Sequence, residues 1–245
     1  MKMKHINKLI SLILCFAILP MCFFAANAET DGVLYTDVPE NAWYTEAVYD
    51  VTANGLMNGF GDSFKPNETL TRAQAATLIW RLAGSPPTFE DNDVANGFCG
   101  SYTDVNYRNP SWYFQAVIWC RNERIMTGYS LPPLRAPNGD IYDGWPITEF
   151  HPDQAITREE FAVVIYHFVK DHLDYHAALG AFSDMDEVSN WAYESLVWCT
   201  ERGIILGTRS NHRSYLHPKA EITRAEAAMI FMRLSQWMEQ RQTEE

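Results

Sequence analysis

The stretch Thr71-Arg72-Ala73-Gln74-Ala75-Ala76-Thr77-Leu78-Ile79-Trp80-Arg81-Leu82 reads as one amphipathic helix with its start marked. A Thr followed three residues later by Gln is a capping box, in which each side chain takes the backbone amide of the other. Behind it Ala75, Ala76, Leu78, Ile79 and Leu82 fall at helical intervals. The pattern recurs at Thr157-Arg158-Glu159-Glu160, followed by Phe161, Ala162, Val164, Ile165 and Phe168. It recurs again at Thr223-Arg224-Ala225-Glu226, followed by Ala227, Ala228, Ile230, Phe231 and Leu234. One such apolar stripe cannot bury itself, whereas three in one chain can bury one another. The expected fold is mainly α, with three helix-loop-helix repeats forming one pseudo-threefold helical bundle.

Upstream of each box the spacing also repeats. Tyr35-Thr36-Asp37, Tyr102-Thr103-Asp104 and Phe182-Ser183-Asp184 open the copies. Trp43, Trp112 and Trp191 follow, and 16 residues beyond each Trp stand Gly59, Gly128 and Gly207. Pro66, Pro152 and Pro218 then precede Arg72, Arg158 and Arg224 by 6 residues. A first helix is expected from Asn41, Ser111 or Asn190 as capping residue, with Trp43, Ala47, Val48 and Val51 on its apolar face. Gly55 and Gly203 suit its left-handed stop, and Arg124 stands in their place in the second copy. These spacings divide the chain into repeats at 33–84, 101–170 and 181–234, linkers at 85–100 and 171–180, and a tail at 235–245. The second copy carries a Pro- and Gly-rich insertion at 130–149.

Residues 1–28 read as a cleaved export signal. Lys2, Lys4 and Lys8 precede an apolar run from Leu9 to Phe24, and Ala26-Asn27-Ala28 offers the small-x-small cleavage pattern. The rest holds 16 cations against 31 carboxylates, a net of −15, which repels nucleic acid and anionic lipid from most of the surface. An anionic ligand would need a few placed donors. Cys99, Cys120 and Cys199 remain, and an odd number argues against a disulfide framework. Cys120 and Cys199 align with Val51 and read as small buried hydrophobes, ahead of metal or redox chemistry.

Arg72, Arg158 and Arg224 sit in the first helical turn, where a cation faces the positive end of the dipole at a cost of up to roughly 1 kcal/mol. Two readings are open. Each arginine pairs with a carboxylate, for which Asp37, Asp104 and Asp184 are candidates, or it joins free helix-start amides in holding a ligand anion. His167, His172 and His176 lack a catalytic zinc pattern, and Asp91-Asn92-Asp93 fails as a calcium loop because Asn96 and Tyr102 stand where Gly and Glu are required. No metal or other cofactor is expected. Once the repeats are subtracted no catalytic domain is left, so the chain reads as a non-enzyme.

Taken together, aromatic-x-Asp, Trp, Gly, Phe-x-Pro and Thr-Arg-Ala-Glu resemble the S-layer homology module of bacterial surface proteins, which occurs in triplets. Copy one fits best, through Gly59-Phe60-Gly61-Asp62 and Phe64-Lys65-Pro66. The resemblance implies a three-pronged body with the second helices at its centre. It also implies grooves between copies that hold a secondary cell-wall polysaccharide, often one carrying a pyruvate ketal, on the surface of a bacterium of Gram-positive type. Carried over by position, the groove residues are Arg72, Arg158, Arg224, Asp37, Asp104, Asp184, Trp43, Trp112, Trp191, Gly59, Gly128 and Gly207. Each Trp reads equally as core or sugar platform, and each Gly as a turn former. Gln74 departs from the usual Glu, Glu159 from Ala and Leu216 from Phe, which ranks copy-one elements first for binding and copy three last. The alternative is a secreted adaptor with vestigial grooves that recruits another surface protein.

Overall fold

The computed structural model describes residues 35–88, 102–105, 110–130, 148–169 and 182–244. The export signal, Cys99, Asp91 to Asp93, His172 and His176 lie outside the described residues, as does most of the insertion at 131–147. The protein is mainly α-helical. In chain order it comprises α1 (Thr45–Ala53), α2 (Arg72–Leu82), α3 (Phe114–Asn122), β1 (Tyr129–Ser130), β2 (Thr148–Glu149), α4 (Arg158–Val169), α5 (Tyr193–Glu201), β3 (Thr208–Ser210), β4 (Arg213–Tyr215) and α6 (Arg224–Glu244). No described helix is long and apolar enough to cross a membrane.

The first helices begin later than the sequence suggested. Their N-caps are Tyr44, Tyr113 and Ala192, none with a side-chain cap. The chain approaches them through turns, such as Thr45 N to Ala42 O at 3.1 Å and Phe114 N to Ser111 O at 3.0 Å. Asn41, Ser111 and Asn190 therefore do not cap, and Trp43 precedes the helix instead of lining its apolar face. Ala47, Val48 and Val51 do line that face and are fully buried. The left-handed stops form at Gly55 (φ 68°), Gly203 (φ 66°) and, strained by its side chain, Arg124 (φ 60°).

All three capping boxes form. Thr71 N donates to Gln74 Oε1 (3.0 Å), and Thr157 N and Thr223 N to Glu160 Oε2 and Glu226 Oε2 (2.9 Å each). The second helices bury their stripes chiefly on a first helix from another segment: α3 packs on α2, α5 on α4, and α1 on α6. Cys120 Sγ lies against Ala76 O (3.6 Å) and Cys199 Sγ against Ala162 O (3.8 Å), both buried at helix crossings. Burial raises both thiol pKa values well above the ordinary value. The second helices also meet at Phe161 and Phe231, whose ring centroids are 5.8 Å apart.

Backbone hydrogen bonds help to close the ring of segments. Leu70 N donates to Ile222 O (2.8 Å), Ile222 N to Ile156 O (3.0 Å), and Ile156 N to Leu70 O (2.9 Å). Because every donor finds its acceptor in another segment, no segment's core is complete without its neighbours. Past Leu234, α6 runs on to Glu244 where a tail was drawn, and Trp237 packs edge-on against Trp198 at 5.1 Å.

The stretch between Gly and Pro is a hairpin whose length differs between segments. It is a tight turn at Phe60 and Ser63, a β1–β2 pairing in register Tyr129 with Glu149, and a β3–β4 pairing of Thr208 with Tyr215. Each glycine permits a close approach. A Cβ on Gly59 would meet the Tyr35 ring and Ser63 O, on Gly128 the Tyr102 ring and Glu149 O, and on Gly207 the Phe182 ring and Tyr215 O. Here the opening aromatic of each segment lies on the glycine that ends its first helix-loop.

Candidate functional site

At each junction the second helix of one segment abuts the Phe-x-Pro turn of the next. The middle residue of that turn is left-handed without being glycine: Lys65 (φ 59°), His151 (φ 57°) and His217 (φ 53°). Such a conformation persists only when its surroundings over-determine it, and two groups do so here. Asp37 accepts from Phe64 N and Lys65 N (2.7 Å each), Asp104 from Phe150 N (2.8 Å) and His151 N (2.7 Å), and Asp184 from Leu216 N (2.9 Å) and His217 N (2.7 Å). From the other side an arginine Nε donates to the carbonyl of the turn's first residue: Arg72 to Phe150 O, Arg158 to Leu216 O and Arg224 to Phe64 O, all at 2.9 Å. For Asp37, burial favours the neutral acid. The Ser63 hydroxyl and the amides of Phe64 and Lys65 outweigh it, holding the pKa below the usual carboxylate value.

Two expectations are corrected. The aspartates do not pair with the arginines, because both their oxygens are spent on turn amides. Nor are the helix-start amides free for an anion. Arg72 N, Arg158 N and Arg224 N donate to Gln154 O, Ala220 O and Glu68 O, and the next amides to Pro152 O, Pro218 O and Pro66 O, at 2.8 to 3.0 Å. The third amide of each helix belongs to the capping Thr. The arginines are themselves only 6%, 6% and 4% exposed. They clamp the turn of the next segment, and that explains a cation at the wrong end of a helix dipole.

The clamps differ in charge. The capping-box carboxylate of the next segment has a second oxygen, and it faces the incoming guanidinium. Glu226 Oε1 accepts from Arg158 Nη1 at 2.8 Å, and Glu160 Oε1 lies 3.7 Å from Arg72 Nη1. For Arg224 the corresponding residue is Gln74, an amide that caps its helix and brings no charge. Arg224 Nη2 donates to Asn58 O (2.9 Å), while its Nη1 has no protein acceptor among the described residues and is not sealed from solvent. Burial pulls its pKa below the ordinary arginine value, partly countered by Glu68, Tyr35 and Asp37.

Aromatic residues absent from the sequence-derived site complete two junctions. The Arg224 guanidinium lies over the rings of Phe60 (4.9 Å) and Phe64 (4.6 Å), and that of Arg72 over Tyr129 (4.6 Å) and Phe150 (5.1 Å). Phe60 is 50% exposed and also carries Lys65 Nζ at 4.8 Å. Around Arg158 the equivalent positions are Thr208 and Leu216, which offer no ring. That junction is filled differently. Buried Glu159 accepts from Ser189 N (3.0 Å), Ser189 Oγ (3.0 Å) and Lys219 Nζ (2.5 Å).

The indoles belong to no core. Trp43, Trp112 and Trp191 are 63%, 67% and 58% exposed at equivalent turns, and none joins the clamp network. Each junction draws on two copies. Arg224 of the last segment and Phe60, Gly59 and Asp37 of the first build one junction. A shallow hollow lined by Asp37, Lys65, Pro66, Asn67 and Glu68 opens beside it. Among the described residues no group of His, Cys, Asp or Glu is placed to hold a metal ion.

The S-layer homology domain matches this chain at residues 34–76 and 181–228. The chain is similar to the Surface-layer 125 kDa protein of Lysinibacillus sphaericus, 27% identical over 86% of this chain and 17% of that protein. It is 26% identical to the Amylopullulanase of Thermoanaerobacterium thermosulfurigenes, over 80% of this chain and 9% of that protein. It is 25% identical to the Cellulosome-anchoring protein of Acetivibrio thermocellus, over 73% of this chain and 35% of that protein. The matched region thus spans about a third or less of each of these relatives.

Proposed function

We propose that this chain attaches non-covalently to a bacterial cell wall by binding an acidic secondary cell-wall polysaccharide bearing pyruvate ketals, and that residues 101–170 form a third S-layer homology copy. The middle segment supports the latter through its equivalent Asp104–turn clamp, left-handed His151 and capping box. The reading assigns binding, not catalysis, to the surface.

The observation that carries it is the exposure of Trp43, Trp112 and Trp191, each more than half open at the same turn of its segment. Large rings exposed at the same turn of every segment support a binding surface; Trp43 and Trp112 are each steadied edge-on by the adjoining Tyr44 and Tyr113, at 5.1 and 5.2 Å. An indole offers a flat apolar face with a polar edge, which suits the face of a sugar ring. Three weak platforms on one rigid body give avidity along a repeating polymer without a tight individual site.

The test is co-sedimentation of the exported chain with wall sacculi. It should pellet with sacculi that retain their polysaccharide, and both stripping the polymer and replacing all three Trp by Ala should leave it in the supernatant. The indoles are the right targets because removing a clamping arginine would disrupt the junction itself. Pelleting unchanged after both treatments overturns the reading. Loss of wall binding with a stoichiometric protein partner instead points to the adaptor.

A further inference from the structure

The left-handed middle residues of the three junction turns differ in how they carry charge. Lys65 is a permanent cation, paired with Glu68 (2.8 Å) and lying 4.8 Å from the Phe60 ring centroid. His217 stacks on Tyr215 (5.7 Å), and its Nε2 meets the Thr208 hydroxyl at 2.7 Å. Among the described residues no carboxylate lies within 4.0 Å of a His217 ring nitrogen. His151 stands between these cases. Its Nε2 meets Glu149 Oε2 at 2.9 Å and its Nδ1 meets Gln154 Oε1 at 3.0 Å. The Glu149 carboxylate only accepts, so a neutral ring serves both partners only if the Gln154 amide turns. The imidazolium donates to both as they stand.

These contacts join separate pieces of the middle segment. Glu149 ends β2, and the imidazole stacks on Tyr129 of β1 with ring centroids 4.8 Å apart. Tyr129 in turn lies over the Arg72 guanidinium (4.6 Å) and donates its hydroxyl to Glu160 Oε1 (2.8 Å). Facing His151 are therefore Glu149 from β2, Tyr129 from β1 and Asp104 from the opening turn, with Arg72 and Glu160 of two helix starts behind Tyr129. Asp104 is committed to the turn amides. The β1–β2 ladder pairs only two residues per strand, too short to hold itself closed, so contacts outside it decide how often it opens.

We propose that His151 is a proton-operated latch on the junction between the first and second segments. As imidazolium it ties Glu149 to the turn and backs the Tyr129 ring against Arg72. As the neutral ring it loses the charge that holds Glu149, and β1–β2 parts from the turn more often. Lys65 performs the same task at every pH and His217 lacks the carboxylate, so the response belongs to the middle segment. The hydrogen bonds to Glu149 and then Gln154 raise the imidazole pKa above its ordinary value. With the folded value above the unfolded one, the latch holds fully below about pH 6.5 and is lost as pH rises through the folded value.

The test follows the histidine ring resonances and amide exchange of the full chain by NMR between about pH 5.5 and 8. His151, identified by its loss in His151→Lys, should titrate above about 6.5, and Glu149→Gln should bring its midpoint down to that value. Over the same range the β1–β2 amides, and Thr103 N on Thr148 O (3.0 Å), should lose about two- to five-fold in protection after correction for intrinsic rates, the worth of an exposed ion pair. His151→Lys should abolish that loss with the fold intact, because Lys65 already holds the equivalent position at φ 59°. A parent midpoint at the ordinary value, or one that Glu149→Gln leaves unmoved, overturns the latch. So does protection that stays constant in the parent, or that still falls with pH in His151→Lys.

Discussion

Replacing Asp184 by Ala would test whether the opening aspartate holds the Phe-x-Pro turn. Asp184 is 6% exposed and accepts from Leu216 N at 2.9 Å and His217 N at 2.7 Å. Leu216 is buried, so its amide would find no water after the change, whereas the exposed His217 amide would. Losing a charge-assisted bond to a buried donor costs about 1.5–3 kcal/mol, and the solvent-replaceable one adds about 1. His217 must still hold φ 53° without its restraint, so part of the roughly 1–2 kcal/mol left-handed cost reappears as disorder of the turn. The sum is about 3–4 kcal/mol, or a Tm drop of about 6–16 °C for a chain of this size. Thermal unfolding followed by far-ultraviolet circular dichroism measures it. Asp184→Asn, which keeps one acceptor oxygen, should cost about half as much. A Tm within about 2 °C of the parent for Asp184→Ala would refute the clamp.

Other predictions concern strain, acid and thiols. Arg124→Gly relieves a side chain held at φ 60° and should stabilise by about 0.5–1 kcal/mol, read as a rise in urea midpoint. Because the folded Asp37 pKa lies below its unfolded value, its contribution is complete above about pH 4 and disappears as pH falls through the folded value. Asp37→Asn should therefore flatten part of the acid dependence of the urea midpoint, and an identical acid profile would contradict this. Cys120 and Cys199, buried and with raised thiol pKa values, should resist a thiol-specific reagent in native buffer and react in denaturant.

What could be read in the sequence was what is local. A capping box spans four residues, a left-handed stop one, and an apolar stripe about two turns, so helix starts at Thr71, Thr157 and Thr223 were legible together with the mainly α class. The arginine partners were not. Arg72 reaches Phe150, Arg158 reaches Leu216 and Arg224 reaches Phe64, separations of 78, 58 and 160 residues that no local pattern encodes. The first-helix caps were misplaced because Asn41, Ser111 and Asn190 serve turns that precede the helices. Trp43 sat at a spacing consistent with the apolar face, and only the later helix start puts it outside. Phe60 and Tyr129 were missed as site residues because a guanidinium from another segment defines their role. One hint was present: Gln74 in place of Glu marked where a charge had been removed, though not which arginine lost it.

The account stands or falls on whether the exposed Trp43, Trp112 and Trp191 hold the chain on the wall. Co-sedimentation with sacculi that retain their polysaccharide should pellet the parent chain and leave the triple Trp→Ala variant in the supernatant. A variant that pellets as the parent does, with its helical circular dichroism unchanged, would contradict it.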